Sequence, residues 1–360
     1  AKFVFNDSMV LDITLNPDFS QVESDEPQVT VNERFEVQFP ERRPFFVENA
    51  DFFATDSILL FTRRIVDPEG GVRFTGRSGD YGFGTILIND EAPGLNRDAN
   101  DPLNGEKASI GILRGFRDIS EQSRVGFFLS DREFSDGYNR VASVDARIKL
   151  NDNWITNMQL VGSDSEPALG GDATTGYQRN IQINHTGRTV SSHTHFVETT
   201  DNFRTDLGFQ NRFFKPDTSG IHNSLNLNFY PDASNLNSWT TGLFDVYLND
   251  TDGTRIYHQL GPNLNFNWNT TGVGFSYTDY TEILRPKDFP GIFTNTRYDY
   301  DNWQVNVFNN SLQTATFRAS YRQGKALNLV PQVGSLPYVA DTNRVDLTLL
   351  WRPIDRVSIN

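Results

Sequence analysis

Strict alternation of apolar and polar residues runs through most of this chain and constrains its fold more than any other feature. In one segment, Leu225, Leu227 and Phe229 alternate with Asn226 and Asn228. The same period of two recurs in residues 144–150, 264–268 and 303–307. Because successive side chains of a β-strand point to opposite faces, this pattern predicts strands with one apolar and one polar face. Roughly sixteen such strands of about 8 to 12 residues can be marked between turn residues, and the sequence has no comparable helical pattern.

Strand length and the chemistry of the polar face distinguish two all-β architectures. A soluble sandwich or propeller buries its apolar face and uses strands of about 5 to 6 residues. A transmembrane barrel turns that face to lipid and needs strands of about 9 to 11 residues around a polar lumen. The marked strands have the barrel length, and their polar face is rich in Asn, Gln, Thr, Asp and Arg. We therefore predict an all-β fold, a transmembrane outer-membrane antiparallel β-barrel of about 16 or more strands.

The polar face supplies the residues that we expect to line the lumen. They are Asp145, Arg147, Lys149, Asn226, Asn228, Asn265, Asn267, Gln304 and Asn306. Aromatic residues near the strand ends, such as Trp154, Tyr230, Trp239 and Trp351, stand where an aromatic girdle would meet the membrane interface. Long connections also alternate with tight turns, which is typical of a barrel with loops on one side of the membrane and turns on the other.

Composition agrees with this fold and excludes several other classes of protein. A mean hydropathy of −0.50 accompanies 29 Phe, 12 Tyr and 5 Trp, an aromatic content that a disordered acidic chain would lack. The longest apolar cluster, Ile58 to Phe61, is far shorter than the roughly 18 to 20 residues of a membrane helix. A net charge of −14 argues against nucleic acid as a partner. The absence of cysteine excludes disulfides and thiolate metal sites.

Residues 16–64 depart from the alternation, because charge, proline and paired phenylalanine are concentrated there. The strings NPDFSQVESD, from Asn16, and FPERRPFFVENADFF, from Phe39 to Phe53, are followed by LLFTRRI. Together they resemble the signature of a family of large bacterial proteins catalogued as domain of unknown function 5916. The resemblance covers about residues 9–65 and continues beyond them as a pattern. It implies a C-terminal outer-membrane barrel, preceded in the family by a periplasmic module similar to carbohydrate-binding family nine.

The resemblance also implies how the chain is divided. Residues 1–65 are expected to hold the family signature, the first strand or strands and a plug folded into the lumen, and residues 66–360 are expected to form the barrel. We expect the sequence to be a piece of a longer chain, because both of its ends look truncated and it does not include the N-terminal module of the family. Residues 351–360 look like a strand, a turn and a further strand cut short, so we expect the barrel to continue beyond Asn360.

The densest group of ionisable residues lies in this N-terminal part. Salt bridges that fix the plug are the favoured interpretation, since Arg–carboxylate forks are ordinary structural ties in a polar lumen. The candidates are Glu23, Asp25, Glu41, Arg42, Arg43, Glu48, Arg63 and Arg64. The alternative is catalysis, because family members have been labelled candidate membrane-associated hydrolases and two carboxylates about 5 to 10 Å apart can hydrolyse a glycosidic bond. The weak candidate pairs are Asp18 with Glu23 and Glu41 with Glu48.

Two weak patterns for metal binding stand elsewhere in the chain. His193 and His195 would share one face of a strand, but the sequence offers no obvious third ligand, so two solvated imidazoles are favoured. Asp250 and Asp252 precede Gly253 like the opening of a calcium loop, but the later bidentate Glu is missing and a hairpin turn is favoured. Nucleotide-binding, serine-hydrolase and zinc-protease motifs are absent from the sequence. We expect no cofactor.

These predictions favour one function and leave two alternatives. The favoured function is an outer-membrane pore, transporter or anchoring platform, with outer-membrane lipid as its partner. Saccharides, whose rings stack on aromatic side chains, and cations, which the acidic charge attracts, are the candidate solutes. The alternatives are a membrane-associated glycan hydrolase that uses carboxylates of residues 18–51 and a structural scaffold for other outer-membrane or periplasmic proteins. The expected location is the bacterial outer membrane.

Overall fold

The computed structural model of this chain consists almost entirely of β-strands. It describes residues 1–6, 8–17, 38–95, 97–209, 217–232, 235–287, 289, 291–312, 314–330, 335–354 and 357–359. The strands are β1 (Lys2–Phe5), β2 (Met9–Leu15), β3 (Pro68–Ser78), β4 (Tyr81–Asp90), β5 (Ala108–Ser120), β6 (Ser123–Phe134), β7 (Gly137–Lys149), β8 (Trp154–Glu166), β9 (Thr174–Thr186), β10 (Val190–Thr199), β11 (Thr218–Phe229), β12 (Ser238–Asp250), β13 (Arg255–Trp268), β14 (Thr271–Leu284), β15 (Thr296–Leu312), β16 (Ala315–Asn328), β17 (Tyr338–Ile354) and β18 (Val357–Ile359).

Helical structure is confined, within those ranges, to a few short turns. One α-helical turn, α1, spans Pro44–Val47, and 3-10 turns span Ala50–Phe53, Thr62–Arg64 and Ala92–Gly94. Pro44 begins α1 because its fixed φ suits the first helical position, where the backbone N–H has no partner in any case. None of the helices in the described part of the chain has the length and hydropathy needed to span a membrane.

The strands belong to one sheet, and neighbouring strands in it run antiparallel. The predicted all-β, antiparallel class is therefore confirmed. The closure of this sheet into a membrane-spanning barrel stays a prediction, as does the division of the chain at residue 65. The chain forms two compact units: the first contains the described residues of 1–182 and 196–219, and the second contains residues 183–195 and those described from 220 onward.

In the first unit, β1 to β8 pair in chain order. Tight turns join β3 to β4, β5 to β6 and β7 to β8 at one end of the unit. In the first of these turns Gly79 has a φ of 58°, a left-handed conformation that glycine adopts without strain. The connections from β2 to β3, from β4 to β5 and from β8 to β9 lie at the other end, and the first of them contains residues 38–65, called the inner segment below.

The core of the first unit lies between the inner segment and one face of the strands, called the inner face. Ile86 and Ile88 of β4 and Ile110 and Ile112 of β5 point to this face and are at most 4% exposed. Burying each such side chain stabilises the fold by about 1.5–3 kcal/mol. The core consists of Phe46, Phe53, Leu59 and Ile65 of the inner segment with Ile86, Ile88, Ile110, Ile112, Phe128, Val141, Val161, Phe203 and Leu207.

The opposite, outer face of the first unit is also apolar, but it is exposed. Leu87, Leu113, Leu129, Val144 and Leu160 alternate with the core residues along β4 to β8 and are 42–58% exposed. Alternation therefore places apolar side chains on both faces of these strands, one face covered by the inner segment and the other uncovered.

In the second unit, β12 to β18 pair in chain order. Here the two faces differ in chemistry. Along β17, Val345, Leu347, Leu349 and Trp351 point to one face and are 46–69% exposed. The alternate positions on β17 carry polar residues such as Asp346. A soluble sheet would bury the apolar face in a core, and this unit leaves it exposed.

Candidate functional site

The inner segment is held to the first unit by a clamp at Glu41. Arg43 donates from Nε to Glu41 Oε1 at 2.8 Å and from Nη2 to Oε2 at 2.6 Å, and the Thr62 hydroxyl donates to Oε2 at 2.7 Å. Arg43 also donates to the backbone oxygens of Ile65 and Thr62 at 2.6 and 2.8 Å. The clamp therefore joins residues 41–43 to residues 62–65, which are the two ends of the inner segment.

The electrostatics of the clamp keep Glu41 ionised. Burial alone would raise the pKa of this carboxyl, but the hydrogen bonds from Arg43 and Thr62 and the charge of Arg43 outweigh burial and lower the pKa to about 2. A cavity of about 370 Å³ lies beside the clamp. Glu41 is the one carboxylate among the described residues that line this cavity.

A second set of contacts attaches α1 to the sheet through Arg73 of β3. Arg73 is 1% exposed and donates from Nη2 to Asp12 Oδ2 at 2.5 Å. Its Nη1 donates to the backbone oxygens of Phe45, at 2.5 Å, and Glu48. The Glu48 side chain extends toward Lys2, whose Nζ lies 2.6 Å from Oε2. The sequence did not single out Arg73, because its partners come from two separate parts of the chain, β2 and α1.

The middle of the inner segment is hydrogen-bonded to the polar residues of the inner face. The Ser57 backbone N–H donates to Gln159 Oε1 at 2.7 Å, and its hydroxyl donates to Gln178 Oε1 at 2.5 Å. Asn180 Nδ2 donates to the same hydroxyl at 3.3 Å. The inner face therefore receives this segment through both apolar packing and specific polar contacts.

Asp56 is a further residue that the sequence did not single out. Burial, together with the charge of Asp145, raises its pKa to about 6, although Arg147 and Arg114 act in the opposite direction. Arg114 is committed to Asp145, with its Nη1 and Nη2 at 2.6 and 2.8 Å from the carboxylate oxygens. Asp56 is thus a carboxyl of the inner segment whose pKa lies well above its usual 3.8.

The structure places the other charged candidates of the first unit as follows. Arg63 donates to the backbone oxygen of Pro40, and Arg64 donates to that of Gly208 at 3.4 Å. The Arg42 backbone N–H donates to Glu41 Oε1 at 3.0 Å. Asp18, Glu23 and Asp25 lie outside the described residues.

The predicted lumen residues of β7 differ in their surroundings. Asp145 is paired with Arg114, and Arg147 Nη1 donates to Asn157 at 3.4 Å. Lys149 Nζ lies 3.2 Å from Asp152 in the following turn. Asp145 and Arg147 therefore both lie close enough to Asp56 to affect its pKa, whereas Lys149 is paired at the turn.

The hydrolase pair Glu41 and Glu48 is tied to cations rather than arranged around an open substrate site. Arg43 holds Glu41, and Lys2 holds Glu48, with Arg73 Nη2 3.5 Å from the Glu48 carboxylate. The hydrogen bond from Lys2 lowers the pKa of Glu48 despite some burial. Neither carboxyl is set up as the protonated acid that glycoside hydrolysis requires.

In the second unit, the predicted lumen residues share one face and form hydrogen bonds there with each other and with neighbouring polar residues. Thr240 donates to Asn228 Oδ1 at 2.8 Å, and Asn265 Nδ2 donates to Asn263 Oδ1 at 3.0 Å. Gln304 Nε2 donates to Asn306 Oδ1 at 2.6 Å. All are half-buried or exposed. We call this set the polar row: Asn226, Asn228, Thr240, Asn263, Asn265, Asn267, Gln304 and Asn306.

Two glycines lie next to amides of the polar row, where any side chain would clash. A Cβ atom added to Gly242 would lie 2.3 Å from Asn226 Oδ1, and one added to Gly274 would lie 2.4 Å from Asn265 Oδ1. A residue with a side chain at either position would displace the neighbouring amide.

A tyrosine cluster lies on the same face as the polar row, toward the end of the strands where β14 meets the following loop. The rings of Tyr280 and Tyr300 stack with centroids 4.7 Å apart, and Tyr257 lies 6.5 Å from Tyr280. Tyr300 donates to Glu282 Oε2 at 3.2 Å. From the sequence, Tyr280 and Tyr300 are predicted to belong to the aromatic girdle, whereas Tyr257 is not singled out.

The two weak metal patterns have different outcomes. Asp250 and Asp252 accept from the Thr254 backbone N–H at 3.1 and 2.8 Å, and Gly253 has a φ of 87°, so these residues form a hairpin turn. His193 and His195 point to one face and are joined there by His222 of the next strand. A third ligand for this pair is not evident from the sequence, because the third histidine lies on another strand.

Glu41→Gln is expected to loosen the inner segment in a pH-dependent way. The folded-state pKa of about 2 lies below the usual 4.5, so ionised Glu41 stabilises the fold above about pH 4.5 and this contribution is lost as the pH falls toward 2. The substitution should lower the free energy of unfolding of this region by about 1–3 kcal/mol at neutral pH. Hydrogen exchange of residues 38–65 measures the effect, with exposed Glu121→Gln as control. Equal protection in both variants at neutral pH would contradict the clamp.

Asp56→Asn is expected to have the opposite pH dependence. The folded-state pKa of about 6 lies above the usual 3.8, so wild-type stability falls as the pH rises from about 4 to 6 and Asp56 becomes ionised. The neutral amide should raise stability by about 1 kcal/mol or more at pH 8 and by little at pH 4. Hydrogen exchange of the same residues at both pH values tests this, with exposed Asp51→Asn as the matched control. A gain that is the same at both pH values would rule out titration of Asp56.

Comparison with known proteins finds a family match for the N-terminal part of the chain. No curated protein matches this sequence. A family model covers β1, β2, the inner segment and most of β3, which are the parts that build the Glu41 clamp and the contacts of Arg73. The carbohydrate-binding module that the resemblance implied stays a prediction. The resemblance itself is confirmed, since residues 1–74 of this chain match the family described as domain of unknown function (DUF5916).

Proposed function

We propose that this chain is a membrane-spanning β-barrel protein of the bacterial outer membrane, and that the polar face of its second unit lines a passage for polar solutes. The observation that carries the proposal is the exposed apolar face on the strands of both units. Monomeric soluble proteins rarely leave contiguous apolar patches larger than a few hundred Å² uncovered, and larger ones mark membrane or protein contacts.

The length of the apolar face fits a membrane. On β13 it extends from Leu260 to Trp268, and on β7 from Ala142 to Leu150 just after the strand end. At about 3.4 Å per residue each stretch is about 27 Å long, which a strand tilt of about 40° reduces to about 21 Å. Outer-membrane barrels have an apolar band of about 25 Å. The apolar stretch therefore comes within about 4 Å of the height of this band, and it is longer than the strands of about 5 to 6 residues that are typical of soluble proteins.

Charged residues border the apolar face at the end where the loops lie. In the first unit, Arg140 lies 3.4 Å from Asp131 and 3.3 Å from Glu133. In the second unit, Arg297 is paired with Asp299 at 2.8 Å. Each of these charged residues points to the same face as the apolar residues of its strand. Each lies beyond the last aliphatic or Trp residue on that face, toward the loops. Such a border is typical of the level at which lipid headgroups replace hydrocarbon.

Aromatic rings occupy the apolar face of the second unit close to its borders. Phe229 stacks on Trp239 with centroids 4.0 Å apart, and Phe266 lies 6.2 Å from Trp268 near the turn end. Nearer the loop end, Trp303 meets Tyr321 at 5.4 Å. Trp and Tyr are enriched at both membrane interfaces, because their rings are apolar and their N–H or O–H groups are polar.

The polar row supports a passage for solutes in the second unit. Its amide and hydroxyl groups offer donors and acceptors without fixed charge, which suits neutral polar solutes. The stacked pair Tyr280 and Tyr300, with Glu282 beside it, adds the ring and carboxylate chemistry that binds saccharides. Neutral saccharides are therefore the solute class that this face favours.

A membrane-anchoring platform is the second candidate, and the first unit favours it. Its inner face is occupied by the inner segment, which is fixed by the Glu41 clamp and by Arg73. A barrel that only anchors other parts of the chain in the membrane does not need an open passage. An inner face filled by the inner segment is compatible with that role.

A comparison of two single variants, Leu347→Arg and Thr348→Arg, tests membrane insertion. These adjacent residues of β17 are both exposed and point to opposite faces. If the apolar face contacts lipid, Arg at position 347 should destabilise the protein in lipid vesicles by about 2–4 kcal/mol, and Arg at position 348 should cost little. Urea titration of folding into vesicles measures both values.

A soluble protein would give a different result for this pair. Arg would then be tolerated equally at both positions, because each side chain is open to water. Equal stabilities of the two variants, or a wild-type chain that stays folded and monodisperse without lipid or detergent, would overturn the membrane assignment.

Asn265→Lys tests the passage. A lysine in the polar row places a positive charge on the proposed solute path, so it should lower the ratio of cation to anion permeability in a planar bilayer. Asn269→Lys, in the turn between β13 and β14, is the matched control and should change the ratio less. Absence of conductance in the wild-type protein would reject the passage and leave the platform.

A further inference from the structure

Three histidines lie together on the polar face of the second unit. His193 and His195 come from β10 and His222 comes from β11. Each offers one ring nitrogen, and these three atoms lie within 4.8 Å of one another. The chain has five histidines in all, so most of its imidazole content is gathered at one place. His195 is buried, and the other two are half-buried.

The backbone explains why these side chains converge. Residues two apart on a strand point to the same face, so His193 and His195 extend in parallel from β10. His222 alternates with the exposed Ile221 of β11 and points to the same face as the pair. The rings of His193 and His222 have centroids 4.9 Å apart, and those of His193 and His195 are 6.0 Å apart.

A neighbouring amide orients one of the rings. Nδ1 of His193 lies 2.6 Å from Oδ1 of Asn184. An amide oxygen only accepts hydrogen bonds, so this contact assigns the proton of His193 to Nδ1 and leaves the lone pair on Nε2. Metal-binding histidines commonly have such a partner on the second nitrogen. His222 also packs against Phe244, with ring centroids 4.7 Å apart, which restricts its rotation.

We propose that His193, His195 and His222 form a binding site for a divalent transition metal of the zinc class. Imidazole nitrogen suits zinc, copper and nickel, whereas calcium and magnesium require oxygen ligands. Tetrahedral ligands at about 2.0–2.1 Å from zinc lie about 3.3 Å from one another. The present nitrogen positions, within 4.8 Å of one another, therefore need to contract by up to about 1.5 Å, which side-chain rotation supplies. The fourth position faces the polar side of the sheet and takes water.

This inference is independent of the proposed function. The site is formed by two adjacent strands and one amide of a third, and it requires neither a passage nor a membrane. A zinc ion here would link β10 to β11, and the protein would gain stability in proportion to the logarithm of the free zinc concentration.

The site is tested with zinc chloride on the purified full chain in detergent after treatment with a chelator. Isothermal titration should show saturable binding of one ion per chain. His222→Gln should weaken this binding by more than about 100-fold, and Asn184→Leu by about 10- to 100-fold. His258→Gln is the matched control, since His258 lies apart from the cluster beside Asp245, and it should bind zinc as the wild type does.

Cobalt(II) provides a second measurement that needs no variant. Because the chain has no cysteine, thiolate cannot contribute to the spectrum, and intense visible d–d bands would report a four-coordinate nitrogen site. A weak six-coordinate spectrum in the wild type would overturn the proposal. So would the absence of saturable zinc binding, or equal affinity in the wild type and in a His222→Gln variant whose circular dichroism shows the same β-content.

Discussion

Successive side chains of a β-strand point to opposite faces, so the residues of each strand in this sheet lie in two different environments. In the second unit this constraint separates leucine, valine and tryptophan from asparagine, threonine and glutamine. The apolar set is exposed, as Leu347 at 69% exemplifies, and the polar set forms hydrogen bonds along the polar row. A chain of mean hydropathy −0.50 can therefore present a hydrocarbon surface, because the average conceals two faces of opposite character. The contacts with lipid that we propose and the passage that we propose both depend on this separation.

The first unit differs, because its strands carry apolar side chains on both faces, with polar residues among those of the inner face. Ile86 and Ile88 on the inner face would be exposed without the inner segment, and Phe46, Phe53 and Leu59 cover them. Apolar packing alone does not fix the direction of such a segment. The Glu41 clamp and the contacts of Arg73 do so, since a buried guanidinium that loses its partners leaves an uncompensated charge, at a cost of about 3–5 kcal/mol. Charged residues thus set the position, and apolar residues supply most of the stabilisation.

Sequence reasoning recovered what is local and missed what depends on contacts between distant residues. The faces of β11 and β13 follow from alternation within each strand, so the sequence alone places Asn226 and Asn265 on polar faces, while the lumen that they were predicted to line stays a prediction. The clamp residues Glu41 and Arg43 lie close in sequence and were also identified. Asp56, Arg73 and His222 were missed, because each acquires its role from residues on other strands. The run Ile86-Leu87-Ile88 was a signal that could have been read, since three consecutive apolar residues on one strand require cover on both faces.

The histidine cluster shows how a rigid sheet can prepare a metal site at small cost. Residues two apart on a strand are separated by about 6.8 Å, and adjacent strands by about 4.8 Å, so the backbones of β10 and β11 already hold the three side chains in a triangle. No loop has to become ordered when the ion binds, and only side-chain rotation remains. The hydrogen bond from His193 to Asn184 reduces even that rotation. Side-chain amides thus have two roles on this face. They make it suitable for water and neutral solutes, and the amide of Asn184 orients the His193 imidazole toward the proposed metal ion.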